Sequence, residues 1–252
     1  MTTQAVVLKN KETRVFRGLF DSVLAAGISG RGHGNMSLSY GDHRDSLKNR
    51  ENFLGEMGID LSRLVCAKQV HGRGVRLVEG IDAGKGAFSY EDAIEDTDAL
   101  ITDQRGLALT IFTADCLPVF LYDPSTNSIG LVHAGWKGTK AGIAADTVLE
   151  MGKRFNISPA DLRAWMGPAI GGCCYQVGPE FEGLFDSGLA KKNNSLYLDL
   201  AGVNKEQLLS CGLQDKNISA SRLCTVCNDG QVFSYRREGA AAGRMMSVMM
   251  LR

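Results

Sequence analysis

Thr113-Ala-Asp-Cys-Leu-Pro-Val-Phe-Leu-Tyr-Asp-Pro-Ser-Thr-Asn-Ser-Ile-Gly-Leu-Val-His-Ala-Gly-Trp136 is the stretch on which the reading of the fold turns. Two apolar runs flank Asp123-Pro-Ser-Thr-Asn127, a cluster of turn formers, so the segment reads as a β-hairpin. With the turn centred between Ser125 and Thr126, the numbers of paired residues sum to about 251. Cys116 then mirrors Gly135, and His133 mirrors Pro118. Thiol and imidazole meet at the open end of the hairpin, offset by roughly two residues at ~3.3 Å each. A third residue, His71, stands in Gln69-Val-His-Gly72 at the end of the apolar run Arg63–Val70. Two His and one Cys brought to one point by strand ends form an N₂S donor set. Such a set suits Zn²⁺ and leaves a fourth position open, as in catalytic rather than structural zinc sites. Taken singly, Cys116 reads as a small buried hydrophobe and each His as an ordinary hydrogen-bonded side chain. The convergence of three favours the metal.

Further β-like runs lie outward from the hairpin at Leu107–Thr113, Ala164–Met166, Leu223–Val226, Gln231–Tyr235 and Met245–Leu251, each bounded by Gly, Asp, Asn or Pro. Helical patterns carry end signals. Asp42 caps one that bears Leu47, Leu54 and Met57 and stops at Gly58. Thr139 is placed to cap another, with Ile143, Thr147, Val148 and Met151 on one face. Asp199 opens a third that closes at Gly212, and Pro179 sits at a first helical turn. Strands and helices mix without strict βαβ alternation, which favours α+β with mixed sheets. No repeat or linker divides residues 1–252, so they read as a single domain.

Composition narrows the function. Lys+Arg and Asp+Glu number 28 each, which gives no argument for nucleic acid or an anionic membrane as partner. Four histidines are too few for a multicopper centre. Seven cysteines in a chain of ordinary size read as reduced thiols rather than a disulfide framework. Lys9, Lys11, Arg14 and Arg17 precede the apolar stretch Leu19–Ile28, but Asp21 breaks it and no cleavage site follows. No run approaches the ~20 apolar residues of a membrane span. The expectation is a cytoplasmic protein.

His133-Ala-Gly-Trp-Lys-Gly138, Thr113-Ala-Asp-Cys-Leu-Pro118, Gln69-Val-His-Gly72, Gly167-Pro-Ala-Ile-Gly171, and Phe233-Ser-Tyr-Arg-Arg237 with Gly243-Arg244 occur in one order. In that order and content the chain resembles the laccase-domain family, first called polyphenol oxidases and later described as purine nucleoside phosphorylases and peptidoglycan editing factors. The likeness runs from about Gly30 to the C-terminus. It implies mixed β-sheets sandwiched between helices in four layers, α/β/β/α. It also implies that His71, Cys116 and His133 hold zinc, with copper as the other metal. Gly30-Arg-Gly-His-Gly-Asn35 is more compact than the family's Arg- and Gly-rich loop, so transfer there is confined to Asn35, Gly41, Asp42, Asn49 and Arg50.

The resemblance implies phosphorolysis of adenosine, inosine and methylthioadenosine, together with adenosine deamination. The partners are then a purine nucleoside and phosphate; no pattern fixes the oligomeric state. Arg236, Arg237 and Arg244, with Arg50, are the candidates for phosphate, although a solvated hairpin end explains the first three as well. Trp136 is placed to stack on a base or to pack the hairpin. Asn35 completes the substrate-binding set by resemblance. Three alternatives stand beside this reading. Cys116 with His133 as base makes a metal-free thiol hydrolase or amidase of peptidoglycan precursors. A copper polyphenol oxidase is disfavoured by the histidine count, and a binding module built on structural zinc lacks a fourth ligand. Cys224-Thr-Val-Cys227 reads as two thiols on a strand, because neither a second C-x-x-C nor an H-x-E accompanies it. Cys173 and Cys174 are consecutive, and consecutive side chains diverge, so they read as no chelating pair. His33 and His43 have no partner pattern and read as structural. Gly30–Gly34 offers backbone N–H groups to an anion only weakly.

Overall fold

The computed structural model describes Val6–Val7, Phe16–Arg17 and residues 23–252. In chain order the strands and helices are β1 (Val6–Val7), β2 (Phe16–Arg17), β3 (Leu24–Ile28), α1 (His43–Met57), β4 (Leu64–Cys66), β5 (Val75–Leu77), β6 (Ala99–Thr102) and β7 (Ala108–Thr113). There follow β8 (Leu117–Asp123), β9 (Ser128–Ala134), α2 (Trp136–Ala141), α3 (Ile143–Phe155), β10 (Arg163–Met166), β11 (Gln176–Val177) and β12 (Leu189–Lys192). The chain ends with β13 (Ser195–Leu198), α4 (Leu200–Ser210), β14 (Ile218–Ala220), α5 (Tyr235–Glu238) and β15 (Met245–Leu251).

The hairpin β8–β9 is the centre of a six-stranded mixed sheet, ordered β14-β10-β8-β9-β6-β5. Its register runs from Asp123↔Ser128 to Leu117↔Ala134, with Pro118 opposite His133. Every residue of both strands is buried, because both faces of this sheet are covered. On β8, Val119 and Leu121 point to one face and Phe120 and Tyr122 to the other. Asp123 ties the turn: its carboxylate accepts hydrogen bonds from the Ser125 and Thr126 hydroxyls, both at 2.7 Å, and from their backbone N–H groups.

The second large sheet, ordered β3-β15-β7-β4, stacks on the first. Phe120, Tyr122, Ile129 and Leu131 meet Leu109, Ile111, Met245 and Met249 between the sheets. On the outer face of the six-stranded sheet lie Ile143, Ala144, Val148 and Met151 of α3 with Val203 and Leu208 of α4. On the outer face of the four-stranded sheet, Phe53, Leu54 and Met57 of α1 cover Leu64, Ala108, Met246 and Val248. The layers are therefore α1, sheet, sheet, and α3 with α4, the α+β arrangement expected. A small antiparallel sheet, β11-β13-β12, joins neither by hydrogen bonds, and its Leu196 and Leu198 pack into the core outside the six-stranded sheet.

Several local readings change. The run Arg63–Val70 is a strand only over Leu64–Cys66. Beyond it the Gln69 amide donates to Phe112 O at 2.8 Å and accepts from Phe112 N at 2.7 Å, taking the place of a ladder. Leu223–Val226 is not a strand: Cys224 makes a single bridge to Ala169 and the chain then turns. Gln231–Tyr235 is not one either. The Arg237 guanidinium binds the carbonyls of Thr225, Val226 and Val232, which a ladder would have needed, and buried Ser234 caps α5 instead. Thr139 lies inside α2, its hydroxyl bonded to Asn204, while Gly142 at φ 84° ends α2 and starts α3. Leu24–Ile28, first met as part of a broken apolar stretch, is an antiparallel neighbour of β15. Lys9, Lys11, Arg14 and Leu19 lie outside the described residues.

Candidate active site

A cavity of about 450 Å³ lies where β7 ends, β8 begins and β9 ends. His71, Cys116 and His133 come together at its wall, with one donor atom from each within 4.8 Å of the others. The two imidazole rings meet edge to face with centroids 4.8 Å apart. The hairpin register accounts for Cys116 and His133; His71 comes from the loop after β4.

The residue that joins these segments is Asp98, fully buried just before β6. One carboxylate accepts hydrogen bonds from His71 N at 3.0 Å, Gly72 N at 2.7 Å and Val70 N at 3.3 Å. The same group lies 2.7 Å from His133 Nδ1. It therefore holds His71 at φ 60°, a conformation a histidine rarely adopts. By engaging Nδ1 it also leaves His133 Nε2 for Cys116, the usual way a carboxylate orients a metal-ligating imidazole. Gly135 supplies room. A Cβ there would lie 2.9 Å from the His71 ring and 3.1 Å from the Cys116 sulfur.

Burial alone raises the Cys116 thiol, but His133 and His71 outweigh it and hold the thiol below its ordinary value. Burial likewise opposes charge on His133, yet Cys116 and Asp98 raise it above the usual imidazole range. Asp98 is penalised by burial and nonetheless held low, through His133 and the backbone N–H groups of Gly72 and Val70. The arrangement favours a thiolate beside an imidazole, the state in which Cys binds a metal or attacks as a nucleophile.

Of the other sequence candidates, Arg50, Trp136, Arg236 and Arg244 line the cavity. Arg50 is 1% exposed, and its guanidinium is spent on the carbonyls of Met36, Gly86 and Ala87. Arg236 lies over Tyr175 and donates to Gln176 O; Arg244 lies over Tyr40 and donates to Ala242 O. Trp136 packs on Phe181, with ring centroids 4.9 Å apart. Asn35 and Arg237 do not line the cavity. The Asn35 amide binds Ser37, Tyr40 and Ser46 and accepts from Arg244 N, and Arg237 is held by the carbonyls already described. Both shape loops that carry lining residues.

Sequence reasoning missed Asp98, Asp115 and Tyr175. Asp115 adopts φ 95° between Ala114 and Cys116 and receives Thr225 Oγ1 and, at 2.6 Å, Arg236 N. Its position inside the Ala-Asp-Cys run was the signal. The cysteine readings also need correction. Cys173, Cys174, Cys224 and Cys227 form a second donor cluster, within 4.8 Å of one another. Consecutive Cys173 and Cys174 do not diverge because they sit in a tight turn after Gly171-Gly172, and Cys224 and Cys227 lie on a turn rather than along a strand.

A family model described as multi-copper polyphenol oxidoreductase laccase matches residues 25–252. The chain belongs to that family. A purine nucleoside phosphorylase named YlmD from Geobacillus stearothermophilus is 37% identical over 223 residues, covering 84% of this chain and 81% of its own. The YlmD crystal structure from that organism superposes with a TM-score of 0.91 at 32% identity, covering 97% of this chain and 98% of its own. An adenosine deaminase named RL5, from an unknown prokaryotic organism, is 31% identical over 198 residues, or 75% of each chain. The laccase family's multi-copper description finds little support in the donors here. His33 accepts from Gly30 N and packs on Phe53, and His43 contacts Phe88 O at the surface, so only two of four imidazoles reach the cavity. No helix among the described residues is long and apolar enough to cross a membrane.

Proposed function

We propose that this laccase-family protein is a zinc-dependent enzyme of purine nucleosides, cleaving them with phosphate to free base and ribose 1-phosphate and deaminating adenosine to inosine with water. The observation that carries the proposal is the N₂S cluster of His71, Cys116 and His133 on the wall of a cavity lined by aromatic rings and arginines. Such a donor set fits Zn²⁺ with one position open. A bound Zn²⁺ would supply Lewis-acid polarisation and water activation.

The chain's own residues then have definite tasks. Asp98 fixes His133 through Nδ1 and sets the His71 backbone. Phe112, Tyr175 and Trp136 offer apolar faces to a purine. Arg236 and Arg244 are the cavity arginines whose guanidinium groups are only partly spent on carbonyls, and they are placed to take the phosphate. Arg50, with its donors committed to three carbonyls, positions the Phe112 wall, its guanidinium carbon 4.7 Å from that ring centroid. Substituting the true phosphate ligand by Ala lowers phosphorolysis and leaves deamination largely intact. A chelator abolishes both reactions at neutral pH and added Zn²⁺ restores them. Turnover that survives complete removal of the metal contradicts the proposal.

A second reading rests on the line Cys116–His133–Asp98, which has the order of a nucleophile, a base and the carboxylate that orients it. It makes the protein a thiol amidase. Its distinguishing result is a Cys116→Ala variant that is inactive yet keeps its zinc.

A further inference from the structure

Four of the seven cysteines meet away from the cavity, in a place that none of the purine chemistry uses. Cys173 and Cys174 come from the turn after Gly171-Gly172, and Cys224 and Cys227 from the turn that follows the bridge of Cys224 to Ala169. Cys174 and Cys227 sulfurs are 3.4 Å apart, and Cys173 and Cys227 sulfurs 3.8 Å. Tetrahedral zinc with Zn–S bonds of about 2.3 Å sets its sulfurs about 3.8 Å from one another. The separations fit four ligands around one ion and are too long for S–S bonds of about 2.05 Å.

The backbone around the cluster is arranged for sulfur that carries charge. Gly171 N donates to Cys224 Sγ at 3.3 Å, and the N–H groups of Val226 and Cys227 point to the same sulfur. Gly171 itself leaves room, since a Cβ there would lie 3.3 Å from both Cys173 Sγ and Cys224 Cβ. A divalent ion would bind the four sulfurs as thiolates, their protons passing to solvent. Cys173 and Cys227 are exposed, which gives the ion a path of entry.

We propose that Cys173, Cys174, Cys224 and Cys227 form a second, structural metal site, a closed four-thiolate centre that takes zinc. Four protein ligands leave no open position, so this ion performs no chemistry of its own. Its place in the fold gives it a task. One pair of cysteines precedes Tyr175, a cavity-lining residue. The other pair flanks Thr225, which bonds Asp115, and Arg237 of α5 binds Thr225 O and Val226 O. The ion clips the segment that leads into Tyr175 to the turn that anchors Asp115 and α5, so its loss loosens that wall while leaving the His71, Cys116 and His133 donors in place.

The test is the zinc content of the full chain purified under reducing conditions, with one ion expected per site. The parent carries about two zinc ions per chain. Cys224→Ser/Cys227→Ser and Cys116→Ala each lose about one, from different sites; a failed active-site assignment shows as a parent with about one zinc that Cys116→Ala keeps and the double variant loses. A Cys224→Ser/Cys227→Ser protein with the parent's zinc content overturns the inference, as does iron with labile sulfide in the parent. Should the double variant not fold, alkylation of the native parent decides. Exposed Cys173 and Cys227 react slowly until a chelator is added; immediate alkylation without chelator, or a Cys174–Cys227 disulfide in reductant-purified protein, refutes the site.

Discussion

Asp98 is where a single atom change carries the most information. Asp98→Asn keeps the size of the side chain but removes the charge that orients His133 and gathers the backbone of Val70–Gly72. Loss of such an orienting carboxylate typically weakens metal affinity ~10–100-fold. Isothermal titration of the metal-free variant with Zn²⁺ is expected to show a loss of that order, and unchanged affinity would contradict the role given to Asp98. Gly135→Ala adds a methyl 2.9 Å from the His71 ring, so the variant is expected to fold and to lose its active-site zinc; a full complement of zinc would contradict that crowding. Cys116 and His133 were legible because hairpin arithmetic sets both at its open end, about two residues out of register, and His71 because it stands at the end of an apolar run. Asp98 was not, since an isolated acid before a strand has no pattern. Cys173 and Cys174 were misread because divergence of neighbours holds in extended chain and fails in a tight turn.

Asp123 governs the hairpin. Burial works against its charge, but hydrogen bonds from Thr126 and Ser125 hold its carboxyl below the ordinary carboxylate range. A carboxyl depressed in the folded state stabilises above its unfolded pKa of ~3.9, and that stability is lost as the pH falls through the folded value. Asp123→Asn is therefore expected to cost ~1–3 kcal/mol at pH 7. The difference from the parent narrows under acid, and urea denaturation at neutral and acid pH reads both; a gap that stays constant contradicts the assignment. The β8–β9 hairpin and the caps at Asp42 and Asp199 were readable because turn and cap residues act locally. Leu223–Val226 and Gln231–Tyr235 have strand composition, but Arg237 takes their carbonyls from twelve or fewer residues away. A side chain that competes with a ladder leaves no trace in periodicity.

Across the molecule, the stacked sheets hold the cavity between strand ends whose positions are set by the core. Phe120 packs against Trp165 between the sheets, with ring centroids 5.3 Å apart, so Phe120→Ala is expected to cost ~3–5 kcal/mol in denaturant unfolding; a cost under ~1 kcal/mol would contradict a close-packed interface. The mixed-sheet architecture was legible from the irregular order of strands and helices. The stacking was expected from the family resemblance and not from the residues themselves, because runs buried on both faces look alike whichever sheet they join. Donor count also bears on redox chemistry: one N₂S site is expected to give no fast oxygen-consuming turnover of phenols by protein as isolated, and an oxygen electrode trace showing it would contradict the zinc reading. The most direct measurement is chromatography of adenosine incubated with the zinc-loaded protein, with and without phosphate. The account predicts inosine in the absence of phosphate and diversion to free base and ribose 1-phosphate when phosphate is added. Adenosine left intact under both conditions, while a muramyl peptide or other amide is cleaved, would contradict it.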